Sequence, residues 1–234
     1  MASTSSLENV LQSTGEPTEK SRVARIRLAV PEDVPHLLKL IHQMAVFEHM
    51  PHLFQATEHS LSSTLFSSPP FQGTTVFILE IFSDFPQNPC DKNQFFKPIF
   101  KKLVFDPPVE DVEAKTFASS QNGDGLVAGF VLFVQNYSTF LAKPGFYMED
   151  LFVRECYRRR GLGRMLMESV AGQAVKMGFG IMQWCVLDWN VNAIKFYEEM
   201  GAEVMQQWSL CRLSGEALEA YRGKGDGNVD DESG

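Results

Sequence analysis

Cysteine is scarce in this chain: there are four in 234 residues, Cys90, Cys156, Cys185 and Cys211, and no two stand in Cys-x-x-Cys spacing. With no secretory signal either, the thiols read as reduced core or surface groups. Histidine and cysteine nowhere share a metal-ligand spacing, so no metal is expected. No apolar run reaches the ~20 residues of a membrane helix, so no membrane partner is expected. The first residues lack an apolar signal core, carry Glu8, Glu16 and Glu19, and hold no arginine before Arg22. Neither a secretory nor a transit peptide is expected, which makes cytoplasm the default compartment with the nucleus left open. Positive charge is short as well. Lysine and arginine total 21 against 29 acids, a net charge of −8. A nucleic-acid binder usually presents a net basic surface, so no nucleic acid is expected as partner. An acidic surface suits small cationic amines better.

What is present is a globular composition, 44% hydrophobic and 21% charged, in a chain long enough for one sizeable domain. Residues 1–22 are polar and aperiodic and read as disordered; residues 223–234 read as a flexible acidic tail. The domain between them, 23–222, alternates strand and helix patterns without internal repeats. Strands are expected at Val23–Val30, Thr75–Ile81, Leu126–Val134, Phe146–Val153, Ile181–Leu187 and Val204–Leu213. Helices are expected from Pro31, over Glu58–Phe66, Leu162–Met177 and Asn192–Met200, with a short capped one in Ser214–Arg222. Residues 82–124 carry five prolines and the acidic stretch Asp106–Glu113, and read as a partly flexible insertion between two strands. The fold class is α/β, a mixed twisted sheet with helices on both faces.

The chemistry concentrates in one run. Met148-Glu149-Asp150-Leu151-Phe152-Val153 is an apolar strand carrying two carboxylates. It leads into Arg158-Arg159-Arg160-Gly161-Leu162-Gly163-Arg164, where the glycines open a helix. Glycine lets backbone N–H groups approach a ligand closely, and a helix start favours an anion. The arginines suit phosphate oxygens. A dinucleotide fingerprint would need glycine where Leu166 stands, and a P-loop Gly-Lys-Ser/Thr is absent. The run is therefore a strand–turn–helix phosphate cradle beside built-in acid/base groups.

The pattern Arg158-x-x-Gly161-x-Gly163 after a strand resembles the acyl-coenzyme A pyrophosphate loop of the GNAT superfamily of N-acetyltransferases. A second block agrees: Asn190, then Phe196-Tyr197, then Gly201-Ala202. Further stretches resemble the diamine and thialysine N-acetyltransferase branch: His42 to Met50, Tyr147 to Val153, and Asp188-Trp189-Asn190. Asn136-Tyr137-Ser138 and Lys143 to Phe146 resemble the plant diamine/ornithine N-acetyltransferase-like proteins, of which tyramine hydroxycinnamoyltransferases are near relatives. The resemblance spans about residues 23–222.

It implies a GNAT-like sheet with a splayed central strand pair and acetyl-CoA in the cleft. It makes Tyr197 the general acid toward the coenzyme sulfur and Glu149 the group that orients and deprotonates the amine. The backbone of Leu151, Phe152 and Val153 would hold the pantetheine arm. Arg158, Arg159, Arg160, Gly161, Leu162, Gly163 and Arg164 would hold the pyrophosphate, and Asn190, Asn192, Ala193 and Tyr197 would flank the coenzyme. The acceptor positions are Phe47, Glu48, Glu149, Asp150, Gln183, Trp184 and Cys185. A regular strand turns Asp150 to the face opposite Glu149, and a bulge would change that. Asp150 then reads equally as a structural group or a site group, and Glu48 as a helix-end carboxylate or a binder of the acceptor's distal cation. Polyamine-specific members carry an Asp and a Trp where this chain has Ser138-Thr139-Phe140-Leu141, and paired glutamates where it has Gln206-Gln207. The expected acceptor is thus a short diamine, ornithine or a lysine-like amino acid. The alternatives are tyramine hydroxycinnamoyl transfer and spermidine/spermine acetylation, with protein N-acetylation and a non-catalytic CoA-binding module further off. The branch also implies a homodimer.

Overall fold

The computed structural model describes residues 21–86, 93–121 and 124–223. The N-terminal segment, apart from its last two residues, and nearly all of the acidic tail lie outside the described residues. The chain divides into two compact units, Met1–Cys185 and Val186–Gly234.

The first unit holds six strands: β1 (Ser21–Leu28), β2 (Thr75–Phe82), β3 (Ile99–Val104), β4 (Leu126–Ser138), β5 (Lys143–Val153) and β6 (Ile181–Trp184). They form one curled sheet in the order β3-β1-β2-β4-β5-β6. Every pairing is antiparallel except the last, β5 with β6. Three long helices accompany them: α1 (Val34–Phe47), α2 (Glu58–Leu65) and α3 (Leu162–Lys176).

β2 sits between β1 and β4 and all eight of its residues are buried. Its aromatic and β-branched sequence suits a strand covered on both faces. Alternation then sorts its side chains. Val76 and Ile78 join Leu37, Leu40 and Met44 of α1, together with Phe130 and Phe152, in one cluster. The other face is aromatic: Phe77 and Phe146 both pack edge-on against Phe133, with ring centroids at 5.1 and 4.8 Å, and Phe179, just beyond α3, meets Phe146. α1 ends beside β4 and β5, while α3 packs over β1, β4 and β5.

The charge buried in this sheet is paired. Glu80 is wholly inaccessible. It accepts from Arg25 Nε at 2.7 Å, Arg27 at 2.8 Å and Ser119 Oγ at 2.5 Å. Arg27 also grips Asp33 through two bonds at 2.6 and 2.8 Å. Asp33 in turn closes the short turn Pro31–Asp33 ahead of α1 by accepting from Val30 N–H at 2.9 Å. Deleting one member would strand a buried charge, which is far costlier than an apolar replacement of the set.

Residues 82–124, expected as a partly flexible insertion, contribute a strand. β3 pairs with β1 from Ser21↔Val104 to Ile26↔Ile99 and forms the sheet edge. Its Lys101-Lys102 pair masked the alternation in the sequence, and lysines are the kind of residue that protects an exposed edge.

Two irregularities shape the region below. In β4, Leu79↔Gly129 is followed by Glu80↔Val127, which leaves Ala128 as an extra residue. In β5, Leu132↔Asp150 is followed by Phe133↔Met148, which leaves Glu149 unmatched. The β5–β6 ladder spans only Gly145↔Ile181 to Met148↔Trp184. Beyond it, β5 runs on to Val153 with no strand on that side among the described residues. β6, the last strand of the sheet, ends at Trp184, so the two strands are joined over these four residues only.

In the second unit, α4 (Val191–Glu199) starts at Asn190, whose Oδ1 accepts from Ala193 N–H at 3.2 Å. It stops at Gly201, whose φ of +89° suits glycine. α5 (Glu216–Glu219) is a single turn. The strand expected over 204–213 is absent: those residues form turns and irregular backbone. Among the described residues of its unit there is no other strand, and an unpaired strand does not hold. No described helix is long and apolar enough to cross a membrane.

Candidate active site

The β5 bulge decides the geometry. A regular strand would send Glu149 and Asp150 to opposite faces. The unmatched Glu149 instead resets the alternation, because a bulge places two residues opposite one. Asp150 now pairs with Leu132, which packs on the α1-side cluster, two residues ahead of Phe152 in that cluster. Both carboxylates therefore address the side where α1 ends. The expectation of opposite faces for a regular strand gives way to a shared one.

Glu48 is the residue at which α1 ends; its N–H closes on Met44 O at 2.9 Å. Burial pushes its carboxyl above the usual range. Asp150 is pushed up to about 7, first by burial and then by the negative charges of Glu149 and Glu48. The three acids are thus within electrostatic reach of one another. Near neutral pH such a trio either keeps a proton or welcomes a cation. They do not form a metal-ligating group: none occurs among the described residues.

Tyr147 joins this site, and the sequence reading had not singled it out as a site residue. Its hydroxyl donates to Cys185 Sγ at 3.2 Å. Its pKa is pushed up to about 12, chiefly by that bond, then by burial and by the charges of Cys185 and Glu149. The signal was available, since positions 147 and 149 lie two apart on one strand. Gln183 pairs with Tyr147 across the β5–β6 ladder and accepts from Asn136 Nδ2 at 3.0 Å. Trp184 stands opposite Met148. Gln183, Trp184 and Cys185 thus lie where β6 leaves β5, next to the carboxylates.

The cradle follows directly from β5. Gly161, at φ +77°, precedes α3, and a Cβ there would meet nothing within 4 Å. Met165 N–H to Gly161 O at 3.0 Å is the first helical bond. The amides ahead of it, in Leu162, Gly163 and Arg164, are those a helix start leaves without an intrahelical acceptor. Leu162 itself is buried and anchors the turn in the core. An open glycine turn, helix-start amides and adjacent arginines fit a pyrophosphate.

The arginines divide their work. Arg159 is exposed, at φ +60°. Arg160 lies 4.9 Å over the Phe105 ring. Arg158 is not simply a phosphate cation. Its Nε donates to Val153 O at 2.8 Å, and its guanidinium lies 4.4 Å over Phe47 and 5.0 Å over Phe152. Burial lowers its pKa. Arg158 thereby ties the end of α1, which carries the acceptor-side residues Phe47 and Glu48, to the cradle. Leu151, Phe152 and Val153 line the stretch of β5 whose outer edge no strand covers, where an extended ligand arm has backbone groups to meet.

Asn190, Asn192, Ala193 and Tyr197 belong to the second unit. Asn190 and Ala193 are joined in the α4 cap, and Asn192 lies in the first turn. Tyr197 stands near the end of α4, its ring 5.1 Å from that of Phe196.

Known proteins resemble this chain over most of its length. The family described as Acetyltransferase (GNAT) family matches residues 76–202. An L-ornithine N5-acetyltransferase of Arabidopsis thaliana is 55% identical over 87% of this chain and 90% of its own length. A tyramine N-feruloyltransferase of Nicotiana tabacum is 38% identical over 88% of this chain and 94% of its own. Among solved structures, an integron cassette protein from the mobile metagenome of V. cholerae superposes with a TM-score of 0.54 at 18% identity, covering 86% of this chain and 98% of that one. That last likeness concerns the fold alone.

Proposed function

The chain belongs to the GNAT family of acetyltransferases, and on that premise we propose that it moves an acetyl group from acetyl-CoA directly to the side-chain amine of ornithine, or of a similarly short diamine or lysine-like amino acid. One observation carries the choice of acceptor: Glu48, Glu149 and Asp150 converge on one side of the sheet, with Asp150 pushed up to about 7. Carboxylates crowded like this offset the desolvation of an ammonium group. An acceptor with a second cationic group relieves their mutual repulsion best.

The residues divide the work as follows. An alkyl ammonium with an ordinary pKa near 10.4 is neutral in only about one molecule in 2,500 at pH 7. Glu149 takes its proton, directly or through a water, so that the nitrogen lone pair attacks the thioester carbon. Asp150 and Glu48 hold the acceptor's other charge and fix its direction. As the new C–N bond forms and the C–S bond breaks, Tyr197 gives its hydroxyl proton to the departing sulfur, the surplus proton shed by the nitrogen restores the tyrosine through water, and Glu149 releases the first proton to solvent. Acetyl-CoA, when bound, supplies the activated thioester. The glycine turn at Gly161–Arg164 and the arginines at 158–160 and 164 keep its pyrophosphate in place, and the edge of β5 that no described strand covers holds its arm. The protein acts as a homodimer, which light scattering at micromolar concentration tests.

The deciding measurement compares kcat/KM for ornithine, 1,3-diaminopropane, spermine and tyramine, each with acetyl-CoA and feruloyl-CoA. Ornithine or the short diamine with acetyl-CoA should lead. If tyramine with feruloyl-CoA leads by about tenfold, a gap of roughly 1.4 kcal/mol in transition-state stabilisation, the acceptor reading is wrong. The relative with that activity then becomes the better guide.

A further inference from the structure

Asp111 lies in the acidic stretch of the insertion, far in sequence from every residue of the site. Even so, it is the point where that stretch grips the approach to the cradle. Its two carboxylate oxygens accept from Arg154 at 2.5 and 2.8 Å, a planar two-point pair, and Oδ2 also accepts from the Tyr157 hydroxyl at 3.0 Å. Arg154 is buried. Its guanidinium stacks 3.9 Å over Phe117, and its backbone N–H donates to the carbonyl of Ala128, the extra residue of β4, at 2.8 Å. Arg154 and Tyr157 flank the only stretch of chain between the end of β5 and Arg158.

The same segment holds the other side of the site. Thr116 O accepts from Lys39 Nζ at 3.1 Å, and Glu113 accepts from Gln43 at 2.9 Å. Both partners lie on α1, the helix that ends at Phe47 and Glu48. Local packing of β5 and α3 does not explain a planar ion pair drawn from 43 residues away. An apolar contact would close the core as well and would avoid the desolvation of two charges. What a bidentate carboxylate–guanidinium pair adds is direction.

We propose that Asp111 is a positioning residue for the acyl-CoA cradle: through Arg154 and Tyr157 it fixes the 154–158 turn, and with it the Gly161 amides and Arg158. The insertion thereby sets cradle and acceptor helix at a fixed spacing. The inference rests on the acyl-CoA reading above.

The sign of one substitution separates positioning from plain electrostatics. Asp111→Asn removes a negative charge from the neighbourhood of an anion site. Field effects alone would tighten CoA binding. Positioning predicts weaker binding, on the order of tenfold, because a small misplacement of the amides costs heavily. Tyr157→Phe, which keeps the ring and deletes one donor, should weaken binding by about threefold and gives the answer if Asp111→Asn does not fold. The assay is calorimetric titration of the full chain with CoA, alongside KM and kcat. The KM for acetyl-CoA should rise while kcat stays within about threefold, and Asp111→Glu should recover part of the affinity. CoA affinity that is unchanged or tighter in the folded variants, with only a lower melting temperature, overturns the proposal and leaves Asp111 a stabilising residue. Wild-type titration comes first: no CoA binding there refutes the acyl-CoA reading itself, and this inference falls with it.

Discussion

The carboxyl of Asp150 offers the sharpest test of the site, because its ionisation couples stability to activity. Its pKa is pushed up to about 7 from an ordinary 3.8, with burial as the leading cause. Below pH 7 the folded protein holds a proton that the unfolded chain releases above about pH 4. Folding therefore binds a proton between these values, and the stability owed to this group falls as pH rises from about 4 to 7, then levels off. The ceiling is about three pK units, roughly 4 kcal/mol. Asparagine has nearly the same shape and never ionises. Asp150→Asn should then be more stable than the wild type at pH 8, by up to about 4 kcal/mol, and the advantage should shrink by roughly 3 kcal/mol on going to pH 5. Urea unfolding of both proteins at the two pH values reads this, since titrating groups beyond the reach of Asp150 cancel in the difference. Activity should move the other way. The ionised carboxylate is the form that attracts an ammonium, so wild-type kcat/KM for ornithine should climb through pH 7. The variant should lose that inflection and about tenfold or more in kcat/KM at pH 8. A stability gap that does not change with pH would refute the reasoning, for it would mean that Asp150 ionises in the folded state as it does in the unfolded one.

Three further outcomes follow from other parts of the molecule. Tyr197→Phe should lower kcat by roughly 10²–10⁴-fold, the range for a positioned proton donor, with a smaller change in KM for acetyl-CoA; a folded variant with wild-type kcat would reduce Tyr197 to packing. Gly163→Asp puts a charge and a side chain into the first turn of α3, and calorimetry should show acetyl-CoA affinity reduced at least tenfold, against unchanged affinity if the pyrophosphate binds elsewhere. Gly129→Ala would bring a Cβ to 2.4 Å from Phe152 O, backbone that cannot step aside; it should cost about 1–3 kcal/mol in chemical denaturation, the usual cost of overpacking, and unchanged stability would mean that β4 and β5 can separate at that point.

By itself the sequence was enough to place the strand–turn–helix at Met148–Arg164 and the helix before Gly201. It was also enough to pick out the carboxylates at 48, 149 and 150 and an α/β sheet with helices on both faces. These signals are local: glycine next to arginine, period-two and period-3.6 alternation, a cap and a stop. The face that Asp150 addresses was decided elsewhere. Its register depends on β4, where Leu132 and Phe133 pair with Asp150 and Met148 and leave Glu149 over. Nothing within the strand itself announces that bulge. β3 likewise exists because β1 offers it an edge, and 204–213 forms no strand where the described residues of its unit offer none. The grip of Asp111 on Arg154 joins residues 43 positions apart, and the contacts of Arg158 with Phe47 and Phe152 likewise join distant parts of the chain. Side-chain chemistry and periodicity travel with the residue, whereas register, facing and long-range pairing exist only once the partner strand or loop is in place.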